Sequence, residues 1–105
     1  MSKYYHGTSY ENLLKIINDK KINTSMEGIV YLTKSKQDAL KFVSFRYMTE
    51  DIAIIELNLD DDNIIEIFDH SQNFFKAQSY GYKGDIDISN ATNCWKYPVE
   101  GRLSI

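Results

Sequence analysis

Hydrophobic and polar positions change period several times along the chain, and each change marks an element. Residues 3–7 read as a short strand that ends at Gly7. Thr8 and Glu11 follow at capping-box spacing, which makes Thr8 the expected N-cap of a helix. Leu13, Leu14, Ile16 and Ile17 have helical spacing, with Leu13, Leu14 and Ile17 expected on the buried face. The helix is expected to end near Lys20, where a cation suits the negative end of the helix dipole. Residues 21–27 read as a polar loop, and Gly28 opens a compact strand over 29–33. Ser35 with Asp38 marks a second helix start. Ala39, Leu40, Phe42 and Val43, then Arg46 and Tyr47, give that helix its buried stripe.

The second half reads mainly as strands. Residues 52–59 are strongly apolar, Asp60-Asp61-Asp62-Asn63 is a turn, and 64–68 is a further strand, so a hairpin is expected. Residues 71–79 fit either a short helix or a loop carrying Phe74 and Phe75. Residues 80–84 are punctuated for turns, 85–89 alternate as a half-buried strand does, and 89–93 read as a loop. Residues 95–99 and 102–105 read as strands broken by Pro98 and Gly101. Strand, helix, strand, helix, then strands is the order of an α+β fold, here one domain spanning residues 1–105.

Composition narrows the class. Apolar residues are 43% and charged residues 26% of 105, ordinary for one soluble domain with one core. No apolar run approaches membrane-spanning length, and the N-terminus lacks an apolar signal core. The expectation is a cytoplasmic protein with no membrane partner. Cys94 is the only cysteine, so an internal disulfide and a thiolate metal site are both excluded. The net charge of −3 argues against a broad nucleic-acid footprint. The aspartates at 60–62 lack the glycine and distal glutamate of a calcium loop, and His70 has no second histidine at ligand spacing. Aromatics are 13% of the chain, enough to fill a small core and also suited to flat ligands.

Two segments point at a chemistry. Tyr5-His6-Gly7-Thr8-Ser9 places a histidine and a glycine where a strand turns into a helix. Gly28-Ile29-Val30-Tyr31-Leu32-Thr33 places a tyrosine on another strand that runs into a helix, and Phe42 follows after ten intervening residues. An oxidised nicotinamide ring is flat, cationic and carries an amide. A glycine lets the backbone reach that amide, and an aromatic face offers stacking and cation–π energy of about 1–2 kcal/mol. A histidine beside the glycine can bond a ribose hydroxyl.

These motifs resemble the ADP-ribosyltransferase superfamily, in its diphtheria-toxin and poly(ADP-ribose) polymerase branch with a histidine, tyrosine, glutamate triad. The resemblance covers residues 4–47 by motif and the rest by topology. It implies a split antiparallel sheet with two helices in the N-terminal half, and NAD as substrate. His6 would hold the nicotinamide-side ribose, Gly7 the carboxamide, and Tyr31 and Phe42 would sandwich the ring, with Thr8 alongside. Ala39 stands near a position where the polymerases carry a hydroxyl that touches the carboxamide. The catalytic carboxylate would come from a late strand. Glu100 is the first choice, Glu56, Asp85 and Asp87 are the alternatives, and a chain with none is the remaining case. Lys3, Lys34, Lys36, Lys41 and Arg46 flank the expected cleft in sequence and would suit the NAD diphosphate.

Three functions compete. The first is mono-ADP-ribosyl transfer from NAD to a macromolecular acceptor, a protein ahead of a nucleic acid, with catalysis by Glu100, His6 and Tyr31. The second is a binding module for NAD, ADP-ribose or a protein, including a phage-type inhibitor of host defence, which the chain's size would allow. The third is the related RNA 2′-phosphotransferase class. That class holds RNA with several Arg and His residues, whereas this chain has only Arg46, Arg102, His6 and His70.

Overall fold

Strand β4 (Ile52–Leu59) is apolar at both parities, so both of its faces must be covered. The computed structural model, which describes residues 1–67 and 79–99, shows how. Ile52 and Ile54 face helix α2 (Lys36–Arg46), where Ala39 and Val43 complete a small core. Ala53, Ile55, Leu57 and Leu59 face the other way into the main core, with Tyr4, Leu13, Ile16, Val30, Leu32 and Ile86 among their partners. Both edges of β4 are paired antiparallel, one to β1 (Ser2–Ser9) and the other to β8 (Ala91–Tyr97).

A second antiparallel sheet runs β3 (Ile29–Leu32), β6 (Ser79–Lys83), β5 (Ile64–Ile67) in spatial order. Helix α1 (Tyr10–Asp19) is followed by β2 (Lys21–Ile22), which pairs with β7 (Ile86–Asp87) in a short ribbon. The two larger sheets meet where Tyr5 and Thr33 exchange backbone hydrogen bonds of 2.9 Å each. The described residues thus form an α+β fold of two α-helices and antiparallel sheets.

Several expectations shift. Strand β1 continues through Thr8 and Ser9, because its ladder with β4 runs to the pair Ser9–Ile52. The N-cap of α1 is therefore Ser9, whose Oγ accepts from the Asn12 N–H at 3.1 Å, rather than Thr8. Thr8 instead accepts from the Asn12 side-chain amide at 2.7 Å. The buried face of α1 is Leu13 and Ile16, while Leu14 and Ile17 are exposed. The second helix is capped by Ser35 as expected, its Oγ accepting from the Asp38 N–H at 3.0 Å.

The hairpin expected from residues 52–68 does not form. Both edges of β4 are already taken, so the chain turns away through a 3₁₀ turn at Asp61–Asn63 and β5 joins the other sheet. Asp61 anchors that turn to β1 by accepting from the Tyr4 hydroxyl at 2.5 Å and the Ser2 hydroxyl at 2.8 Å. Burial and that carboxylate push the Tyr4 pKa up to about 12. Residues 80–83 are strand rather than turn, paired with β3 on one edge and β5 on the other, and a Cβ on Gly81 would meet Ile29 and Ile67 at 2.7 Å. The expected loop over 89–93 already belongs to β8 from Ala91 onward, an exposed edge strand with little apolar signal. Residues 71–78 and 102–105, expected as a helix or loop and as a strand, lie outside the described residues.

Helix α2 crosses β1 at Gly7. A Cβ there would stand 2.8 Å from Val43 Cβ, 2.9 Å from Val43 Cγ1, which alanine at 43 would remove, and 3.1 Å from the Ala39 carbonyl oxygen. Replacing Gly7 by Ala is expected to destabilise the fold by about 1–3 kcal/mol through overpacking. Combining Gly7→Ala with Val43→Ala should cost less than the sum of the two single changes by about 1 kcal/mol. Urea unfolding of the three variants measures both quantities.

Candidate functional site

The crossing of α2 over β1 opens a cleft on one edge of β1. In the β1–β4 ladder, residues directed at β4 alternate with residues directed away from it. The N–H and C=O of Tyr5 both bond Thr33, so Tyr5 points away from β4. Gly7 is two residues on and shares that direction. Its N–H and C=O therefore face the side where β1 and β3 part, which is the cleft.

The cleft has a volume of about 720 Å³ and is lined by His6, Gly7, Thr8, Tyr31 and Phe42. All five residues singled out from sequence as ligand-binding thus meet there. The His6 ring donates from Nδ1 to the Tyr31 carbonyl oxygen at 2.8 Å. That bond fixes the tautomer, because a carbonyl only accepts, and it leaves Nε2 as an acceptor. Desolvation lowers the His6 pKa below its ordinary value, the Tyr31 carbonyl opposes this, and the Arg46 cation adds to the lowering. His6 is therefore a neutral imidazole at pH 7. Val30 and Leu32 are buried in the core, which by strand alternation turns Tyr31 outward; it is 37% exposed. Phe42 reaches the cleft from α2 and is half-buried. Ala39 also lines the cleft, buried against β1.

The carboxylates distribute differently from the expectation. Glu100 lies outside the described residues. Glu56 does not line the cleft. It accepts from the Thr92 hydroxyl at 2.7 Å, the Tyr5 hydroxyl at 3.0 Å and Lys3 Nζ at 3.1 Å, and the Thr92 bond leads in holding its pKa low. Asp85 accepts from the Thr24 N–H at 3.0 Å and pairs with Lys21 at 3.3 Å. Asp87 caps the 3₁₀ turn Ile88–Asn90. All three are committed to structure. Among the described residues, the carboxylates that line the cleft are Glu27 and Asp19. Neither stood out in the sequence, since one lay in a polar loop and the other at a helix end. Glu27 accepts the Tyr31 hydroxyl hydrogen bond, which the spacing of four residues across Gly28 permits but does not single out.

The expected cations also divide. Arg46, in the last turn of α2, lines the cleft, and Lys15 joins it from α1. Lys3 is paired with Glu56, Lys34 lies over the Tyr80 ring and Lys36 over the Trp95 ring. Lys41 is exposed on α2 and is absent from the lining. Among the described residues, no cluster of three His, Cys, Asp or Glu could hold a metal ion, and no helix is long and apolar enough to cross a membrane. Cys94 lies exposed on β8.

No protein-family model matches the chain, and no curated protein matches it. Among solved structures, the X-ray crystal structure of protein CC0527 from Caulobacter crescentus shares the fold. The two align with a TM-score of 0.70 over 99% of this chain and 100% of that one, at 9% sequence identity. At that identity the likeness speaks for the backbone arrangement alone.

Because the folded pKa of His6 lies below its ordinary 6.5, the unfolded chain binds more protons just under that pH. Stability should fall as pH drops from about 7.5 to 5.5, and His6→Gln should flatten this slope. The lowered carboxylates Glu56 and Asp61, with ordinary values of 4.5 and 3.8, lose their contributions only further down. Urea unfolding of both proteins across this window measures the difference.

Proposed function

We propose that the cleft binds NAD by its nicotinamide end, and that the protein transfers ADP-ribose from NAD to a macromolecular acceptor, a protein ahead of a nucleic acid. The supporting observation is the outward-facing amide edge of Gly7 in a cleft shared with Tyr31, Phe42 and His6. A primary carboxamide is the ligand group that such an edge pairs with twice. Its NH₂ donates to the Gly7 C=O, and its C=O accepts from the Gly7 N–H. The aromatic side chains offer the ring a stacking face. His6 Nε2 is an acceptor for a ribose hydroxyl. The reading keeps the split-sheet arrangement of the ADP-ribosyltransferase fold as its scaffold.

In this reaction the bond between the ribose C1′ and the nicotinamide N1 breaks, and nicotinamide leaves with the electron pair. An acceptor oxygen or nitrogen bonds C1′ and gives up its proton. A carboxylate stabilises the cationic sugar in between and can take that proton. By the family resemblance this role falls to Glu100. The engagement of Glu56, Asp85 and Asp87 elsewhere favours a second reading, in which NAD or ADP-ribose binds without transfer.

Calorimetry with NAD and transfer of labelled ADP-ribose to a cell extract separate these readings. His6→Ala and Tyr31→Ala should each weaken NAD binding about tenfold or more. Glu100→Gln should keep binding and lower transfer by about 10²-fold. Binding with no transfer in the wild type supports the module. A wild type that does not bind NAD overturns the assignment of the cleft.

A further inference from the structure

Glu27 enters the cleft from a loop that is closed on itself. The Gly28 N–H donates to the Ser25 carbonyl at 2.9 Å, and the Ser25 N–H donates to the Ile29 carbonyl at 2.9 Å. Gly28 has φ of 76°, the left-handed value that lets so short a turn rejoin strand β3. The Thr24 N–H is held by Asp85, and the Gly28 carbonyl accepts from the Gly84 N–H at 3.2 Å. The backbone that carries Glu27 is therefore tied to both β3 and the β6–β7 connection. Its side chain accepts the hydrogen bond of the Tyr31 hydroxyl, which sets a carboxylate at the edge of the ring that faces the cleft.

Two physical effects then act in the same direction. A carboxylate beside the stacking surface attracts a positive ring by direct charge. Donation from the phenol to that carboxylate also places more electron density on the Tyr31 ring, which strengthens its attraction for a cation. A neutral ring of the same shape gains neither. Among the described residues, the cations lining the cleft, Lys15 and Arg46, come instead from the two helices, as does Asp19. Lys15 and Arg46 are available to an anionic diphosphate in the same cleft.

We propose that Glu27 makes the cleft select a cationic, oxidised nicotinamide ring over a neutral one, through its bond to Tyr31. This inference rests on reading the cleft as a nicotinamide site. The probes are nicotinamide and 1-methylnicotinamide, which share the carboxamide and the ring but differ by one positive charge. NMR titration of the wild type is expected to show the cation binding about tenfold more tightly. In Glu27→Gln the ratio of the two affinities is expected to fall about fivefold. Glu27 is exposed, and glutamine keeps its size and an acceptor for Tyr31, so folding is preserved. Equal binding of both probes to the wild type overturns the selection. So does a Glu27→Gln protein that keeps the full preference, and in either case the nicotinamide site itself stands. If neither probe nor NAD binds the wild type, the site reading fails and this inference fails with it.

Discussion

The backbone pair between Tyr5 and Thr33 governs the site. Strand β1 is paired with β4 along its whole length on one edge, from Ser2–Leu59 to Ser9–Ile52. Its other edge meets β3 at this pair and then departs from it. A longer ladder between β1 and β3 would have merged the two sheets and used up the outward amide of Gly7. With no bridge at all, Tyr31 would not be held against His6. One pair of 2.9 Å hydrogen bonds fixes the distance between the sheets and leaves the next residues of β1 facing open space. Helix α2 then covers Gly7 from above, and it comes so close because Gly7 has no side chain to exclude Val43. The same missing Cβ serves packing on one side and access on the other.

What could be read from sequence followed from local periodicity, and what could not depended on partners. The strongly apolar run of β4, the Ser35 cap of α2 and the short β3 are local signals, and each element formed where its pattern placed it. The pairing of β5 with β6 instead of β4 is a global outcome, set by which edges β1 and β8 had already occupied. Gly81 illustrates the ambiguity of glycine. A chain reader sees punctuation, while the fold uses it to admit Ile29 and Ile67 from neighbouring strands. Ser9 displaced Thr8 as the cap for a related reason, since the ladder with β4 kept Thr8 extended. At the cleft, His6, Gly7, Thr8 and Tyr31 could be grouped because each sits on a strand with a motif around it, and Phe42 because it follows Tyr31 after ten intervening residues, on the next helix. Glu27, Asp19 and Lys15 gain meaning only from separate elements converging, and no spacing in the chain announces that.

The acidic groups show how position decides chemistry. Glu56 is buried, yet three donors satisfy it, so its charge is stable and its lone pairs are occupied. A carboxylate so engaged is a poor base and a poor partner for a passing ligand. It holds Lys3, Tyr5 and Thr92 together across β1, β4 and β8, on the same face of the sheet as Ile52 and Ile54. Glu27 is the opposite case. It is exposed, bonded to a single hydroxyl that itself belongs to the cleft wall, and carried by a turn with fixed ends.

The fold shared with protein CC0527 at 9% identity sharpens what the side chains must do. A backbone shared at so low an identity is specified by its pattern of core and edge positions, and many side-chain sets satisfy it. The parting of β1 from β3 is a feature of this chain's backbone. In this chain the cleft wall combines a neutral imidazole whose tautomer is fixed by a backbone carbonyl, an outward tyrosine tied to a carboxylate, and cations delivered by the helices. None of these is needed to hold β4 in its core, where Ile52, Ile54 and Leu57 are fully buried without them. Packing therefore does not account for their meeting in one cleft, and that is the physical ground for reading the cleft as a site.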